Sequence, residues 1–161
     1  MDCCSVQLPK ADSLFAEVDS CYKRLQHRAM LSSVSLSVVS ELKSGSAWYV
    51  PGGRSTMGRL FNDACGRYVF AEDKHSGSIP LAFETVFDKA GDADVWIIKY
   101  NRDRDMSYSD LKADYIGYTG FKAFKTRNIY GCNTAKVPFY EETPFRPDYL
   151  LADLIQILHP K

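Results

Sequence analysis

Two hydrophobic rhythms alternate along the chain. Over residues 12–29, Leu14, Phe15, Val18, Tyr22 and Leu25 recur at helical spacing, with Asp12 or Ser13 available as N-cap. At 33–40 the rhythm becomes alternation, with Val34, Leu36 and Val38 set between serines, which predicts a strand over 34–39. Helical spacing returns from Ser55 through Met57, Leu60, Phe61, Ala64 and Cys65, and Gly66 supplies a stop. Tyr68, Val69 and Phe70 give a short strand over 67–70, and Pro80 leads into a helix over 82–90 closed by Gly91. The run Val95-Trp96-Ile97-Ile98 is apolar without alternation, as in a strand buried on both faces. Ser107 and Asp110 have capping-box spacing and open a helix to about Tyr115. A helical turn at 119–125, a strand at 128–132 and a final helix started by Pro147 complete the pattern, with Pro160 just past its end.

One helix followed by four strand–helix units predicts a three-layer α/β domain with a mainly parallel four-stranded sheet (34–39, 67–70, 94–99 and 128–132) and helices on both faces. Residues 1–12 read as a flexible N-terminal tail. Open sheets of this kind bind ligands beyond the carboxyl ends of their strands. The expected functional loops are therefore 41–54, 71–80, 100–107 and 133–146.

Charge and composition narrow the function classes. Twenty basic residues balance twenty acidic ones, so no net field draws the chain to nucleic acid or an anionic membrane. Five cysteines are an odd number without metal-ligand spacing, which reads as structural thiols rather than a disulfide framework. No stretch has the roughly 18 consecutive apolar residues of a membrane helix. Residues 1–12 lack the basic start and apolar run of a signal peptide, so the chain as it stands is not expected to be exported.

The segment Trp48-Tyr49-Val50-Pro51-Gly52-Gly53-Arg54-Ser55 carries the most chemistry. Its glycines permit close backbone approach, and the helix start that follows offers free N–H groups to an anion. Arg54 adds a guanidinium fork, while Trp48 and Tyr49 add flat apolar area with polar edges. Two readings of this segment stand side by side: a ligand contact and a structural turn. Glu84 falls in the first turn of a helix, where the macrodipole favours a carboxylate whatever its role. Tyr49, His75, Tyr100 and Tyr140 are further candidate contacts, but no spacing demands a metal. Asp103, Asp105 and Asp110 lack the Gly and Glu of a calcium loop. Ser55 has no base-and-orienter pair in sequence, so no catalytic residue is assigned and the chain is read as a non-enzyme.

From Trp48 to Tyr68, the run WYVPGGRSTMGRLFNDACGRY resembles the start of the C-terminal lobe in class III periplasmic binding proteins, the capture subunits of ABC importers. The likeness continues through Leu81 to Val86, Asp92 to Trp96, and Arg146-Pro147-Asp148 to Pro160. It implies that 13–161 is one lobe of a two-lobe protein, with the N-terminal lobe absent from this sequence. The ligands implied are a ferric siderophore, haem or cobalamin, with no resident cofactor. Trp48, Tyr49, Arg54, His75 and Tyr100, with the loop around Glu72–Ser76, would line half of a cleft. Glu84 matches the glutamate that docks on the membrane permease, although Ala82 stands where the family often has a capping serine. The family's location is the periplasm or the outer face of the inner membrane. A rival reading is a small α/β enzyme holding a phosphorylated substrate at the Gly52-Gly53 turn, and a third is a remnant that binds nothing.

Overall fold

The computed structural model describes the backbone of residues 3–159 and the side chains of 13–159. The chain opens with α1 (Cys3–Met30), which begins at Cys3 rather than at the Asp12–Ser13 cap. The side chains of the 1–12 segment, Cys3 and Cys4 among them, lie outside the described residues, as does Pro160.

β1 (Ser37–Ser40) is followed by two short strands, β2 (Lys43–Ser44) and β3 (Ala47–Pro51). Then come α2 (Thr56–Asp63), β4 (Arg67–Tyr68), β5 (Ser78–Leu81), α3 (Phe83–Ala90) and β6 (Val95–Tyr100). The remainder is α4 (Tyr108–Asp114), a 3-10 turn (Ile116–Gly120), α5 (Lys122–Lys125), β7 (Ile129–Asn133), α6 (Phe139–Glu142) and α7 (Pro147–Leu158). The four strands expected from the sequence form one sheet in the order β4-β1-β6-β7, every pair parallel. The predicted three-layer architecture is the one observed.

The central strand is dry on both sides. Val38 and Val39 are adjacent and both fully buried, and Ser40 is buried with them. Alternation between an apolar and a serine face, the pattern read from Val34, Leu36 and Val38, does not survive: Val34 lies outside the strand and is exposed. Helices cover both faces, so serines are tolerated only where they find partners. Ser37 has them, since its N–H and hydroxyl each lie 3.0 Å from Asp94 Oδ2 and its Oγ accepts from the Asp94 N–H at 2.9 Å.

α7 packs between α1 and α2 on one face. Leu158 reaches Gly66 closely enough that a Cβ there would sit 2.7 Å from Leu158 Cδ1. The end of α2 departs from expectation in an instructive way. Cys65, not Gly66, holds the left-handed position (φ 58°). Gly66 N–H bonds Phe61 O and Cys65 N–H bonds Asn62 O, each at 2.9 Å, which is a Schellman closure with a side chain where glycine is favoured. Gly66 is small because α7 presses on it. His159 Nε2 meets Ala64 O at 2.7 Å and ties the two helix ends together.

On the opposite face, Trp48, Phe83, Trp96, Tyr118 and Phe121 form an aromatic cluster with ring centroids 5.0–6.3 Å apart. The expected caps are present elsewhere: Ser107 and Asp110 form the reciprocal capping box of α4, and Pro147 opens α7.

The loops expected at 41–54 and 71–80 are not simple loops. β3 pairs antiparallel with β2 and β5, giving a second, three-stranded sheet beside the main one. The signal was present as alternation in Ala47–Pro51, where Trp48 and Val50 are buried and Tyr49 is exposed.

Candidate functional site

Leaving β1, the chain builds β4 on one side and returns to build β6 on the other. The sheet therefore reverses its winding between β1 and β6. Loops diverge at such a point and leave a crevice beyond the carboxyl ends of the two strands. A depression of about 360 Å³ lies there, lined by Glu41, Tyr49, Pro51, Ser55, Thr56, Met57, Lys99 and the 76–78 segment.

Its floor is an ion pair. Lys99 Nζ, at the end of β6, lies 3.0 Å from Glu41 Oε1, just past β1, and each side chain is only 20% exposed. The same ammonium sits 5.3 Å from the Phe139 ring centroid. Glu41 has φ 71°, a left-handed conformation that a bulky residue adopts only when its surroundings impose it. The main chain there is held on both sides: Glu41 N–H donates to Ile97 O at 3.0 Å, and Trp96 Nε1–H donates to Glu41 O at 2.8 Å.

One wall is the strand–turn–helix segment. Ser55 caps α2, accepting from Gly58 N–H at 3.1 Å and donating to Gly52 O at 2.6 Å. Tyr49 stands half exposed above it. The turn itself is zipped to the 71–77 loop, with Gly52 N–H to Gly77 O at 2.8 Å and Arg54 N–H to His75 O at 3.1 Å. A Cβ on Gly52 would fall 2.3 Å from His75 O, and one on Gly53 would fall 2.3 Å from Ala71 O. The glycines do permit close backbone approach, but the backbone that approaches is the protein's own. Two amides that a phosphate would need are spent, and four carbonyls crowd the turn. The basis for placing a phosphorylated substrate at Gly52-Gly53 is therefore gone.

The residues nominated from sequence separate into three groups. Tyr49 lines the crevice. Trp48 does not: it has no exposed surface, stacks in the aromatic cluster and donates its indole N–H to Ser40 O at 3.1 Å. Its nomination as a ligand contact is corrected, because strand alternation turns it to the opposite side from Tyr49. Arg54 and His75 are neighbours through the main chain, both exposed on the rim. The His75 ring turns to its own loop, with Nδ1 3.0 Å from Asp73 Oδ1. That contact and the His75 N–H hold the Asp73 carboxyl below the ordinary range, the backbone bond being the larger cause.

Tyr100 opens elsewhere, onto a groove of about 890 Å³ along the outer edge of β7, and its hydroxyl accepts from Met106 N–H at 3.2 Å. This groove is larger than the crevice but lies to one side of the switch point. Tyr140 is exposed on α6. Glu84 is exposed in the first turn of α3, and Ala82 makes no side-chain cap there. Among the described residues, no group of three His, Cys, Asp or Glu side chains is arranged to hold a metal ion, and no helix is long and apolar enough to cross a membrane.

Glu41 and Lys99 were missed by sequence reasoning. Both occupy strand-end positions beside the switch point, so the rule that located the loops would have found them once strand order was known.

A parallel sheet wound both ways from one strand, with an open crevice at its turning point, is the architecture of a ligand-binding α/β lobe. Residues 7–135 match the family model described as periplasmic binding protein. The chain belongs to that family. It is similar to an uncharacterized lipoprotein of Methanocaldococcus jannaschii, 28% identical over 155 residues that make up 95% of this chain and 36% of the relative. Among solved structures it resembles a periplasmic heme-binding protein of Roseiflexus sp. RS-1 (TM-score 0.70, 18% identity, 92% of this chain and 55% of that one). It also resembles IsdE of Staphylococcus aureus complexed with heme (0.68, 18%, 92% and 57%). A third likeness is to a possible iron-binding, periplasmic solute-binding protein of Staphylococcus epidermidis (0.68, 16%, 92% and 54%). The chain thus spans about half the length of these solved proteins and matches a single lobe of the class III fold expected from its sequence.

Proposed function

We propose that this lobe is the C-terminal half of a substrate-capture protein serving an ABC importer, and that it receives a metal chelate: a ferric siderophore, haem or cobalamin. The observation that carries this reading is the crevice at the β1–β6 switch point, walled by Tyr49 and fenced by Thr56, Ser76 and Ser78. An aromatic wall with hydroxyl groups around it suits a ligand whose metal is already wrapped by organic groups. Structural neighbours that bind heme, and one described as possibly iron-binding, support the same ligand class. Capture needs no acid, base or nucleophile, and the crevice needs none to do its work.

Half a cleft covers only one side of a ligand, so tight binding requires a second lobe above the carboxyl ends of the strands. Glu84, exposed and with no ion pair recorded among the described residues, is the proposed contact to an arginine of the permease. The location that follows is the periplasm or the outer face of the inner membrane.

The test is titration of the chain, alone and joined to a first lobe, with haem, cobalamin and ferric siderophores. The two buried indoles give a fluorescence readout. The two-lobe protein is expected to bind one ligand class at least tenfold more tightly than the lobe alone. Absence of binding to all of them by the two-lobe protein would overturn the proposal.

A further inference from the structure

The crevice contains one cation and one anion, and they are paired with each other. Of the residues lining it, only Lys99 and Glu41 carry formal charge. Lys99 is the group a negatively charged ligand would meet, yet Glu41 Oε1 already lies 3.0 Å from its ammonium. The carboxylate is not there by accident of a flexible side chain. Glu41 occupies a left-handed position, φ 71°, where glycine or asparagine would sit without strain. Its peptide is fastened by bonds from its N–H to Ile97 O and from the Trp96 indole to its carbonyl. The Ser40 hydroxyl also lies 3.5 Å from Glu41 Oε1. The ammonium is placed as firmly, between this carboxylate and the Phe139 ring. A pair with no task beyond stability could sit anywhere on the surface without straining the backbone.

We infer that Glu41 is a built-in counter-ion for Lys99, which an anionic ligand group must displace, so that this pair sets the charge selectivity of the crevice. The inference rests on the proposed capture function and adds which ligands the site accepts. With Glu41 in place, the crevice is electrically neutral, and a ligand gains Lys99 only by contributing a better-placed negative oxygen. A cationic chelate gains nothing from Lys99 and finds Glu41 already taken. Removing the carboxylate frees the ammonium for any anion, and removing the ammonium leaves a bare carboxylate that repels anions. Replacing Glu41 by glycine also relieves the left-handed strain, so this variant is expected to fold.

The experiment measures binding of three chelates of similar size: haem with its two propionates, an anionic ferric tricatecholate, and a ferric trihydroxamate bearing a free ammonium. The readout is quenching of the two buried indoles, Trp48 and Trp96, by the bound chelate. Wild type, Glu41→Gln, Glu41→Gly and Lys99→Met are compared, each with its thermal midpoint. The expected result is that both Glu41 variants raise the ratio of anionic to cationic chelate affinity about tenfold. Lys99→Met is expected to drop that ratio below wild type. An unchanged ratio in the Glu41 variants, with a lowered midpoint in Glu41→Gln, would mean the pair is structural and would overturn the inference. Failure of every chelate to bind any variant, in the lobe and in a two-lobe protein, would instead overturn the capture function and this inference with it.

Discussion

Trp48 and Tyr49 are neighbours in sequence and face opposite ways: the indole is fully buried and the phenol is 50% exposed. The two side chains should therefore separate stability from binding. Trp48→Ala empties the centre of the aromatic cluster and is expected to cost about 3–5 kcal/mol. Tyr49→Ala removes surface from the crevice wall and is expected to change stability by about 1 kcal/mol or less. Denaturant melts of both variants, with ligand titration of the second, check this. A Tyr49 variant that binds as wild type would remove it from the site.

Gly52 is a second position where the fold admits no substitute. A methyl group would fall 2.3 Å from His75 O and 2.8 Å from Gly77 O, both backbone atoms with nowhere to go. Gly52→Ala is expected to lose about 1–3 kcal/mol and to loosen the crevice wall. Chemical denaturation measures the first effect. A variant as stable as wild type would show that the 71–77 loop yields freely.

Cys65 offers the reverse case. It holds a left-handed C′ position that glycine takes at no steric cost, and a β-carbon there costs about 1–2 kcal/mol. Cys65→Gly is expected to raise the thermal midpoint, part of the gain being offset by a more flexible unfolded chain. Gly66→Ala, one residue on, should lower it, because its methyl would meet Leu158. Finding both changes in the same direction would refute this account of the α2 terminus.

Asp94 supplies the pH dependence. The Lys122 ammonium 2.6 Å away, then the Ser37 N–H, hold its carboxyl down to about 2. A carboxyl whose folded pKa is depressed adds stability above its unfolded value of about 3.9, and that stability fades as pH falls through the folded value. Thermal midpoints should therefore decline between about pH 4 and pH 2. Asp94→Asn should be less stable than wild type at pH 7 and should show a shallower decline in that window. Parallel pH profiles would assign the acid sensitivity to other groups.

Glu84 separates docking from structure. It is exposed without a side-chain cap partner at Ala82, so Glu84→Ala is expected to shift stability by about 0.5 kcal/mol or less. In a two-lobe protein the same change should weaken permease affinity, since a desolvated interfacial charge pair can be worth several kcal/mol. Uptake indifferent to the substitution would end the docking role, and a large loss of thermal stability would make Glu84 a helix-start residue.

The sheet was legible because burial on both faces writes a continuous apolar run, as at Val95–Ile98, and because capping residues such as Ser107 and Pro147 act locally. The antiparallel strands were not, since two-residue pairings like Lys43–Ser44 carry too little pattern to see. Trp48 shows why a site is harder to read than a fold. Aromatic area suits a core as well as a ligand, and only the alternation of β3 decides which of two adjacent rings goes where. Glu41 and Lys99 lie 58 positions apart in sequence, and their meeting depends on β6 pairing directly with β1. Nothing local announces that.

The two backbone hydrogen bonds joining 52–54 to 75–77 make the crevice wall a single stiff plate rather than a pair of independent loops. Gly52 and Arg54 should then exchange their amide hydrogens as slowly as neighbouring strand positions, despite standing at the rim of an open surface. A ligand arriving at Tyr49 finds a surface that need not be ordered first, which spares the entropy of arranging it. Any closing motion must take place around this plate and not within it.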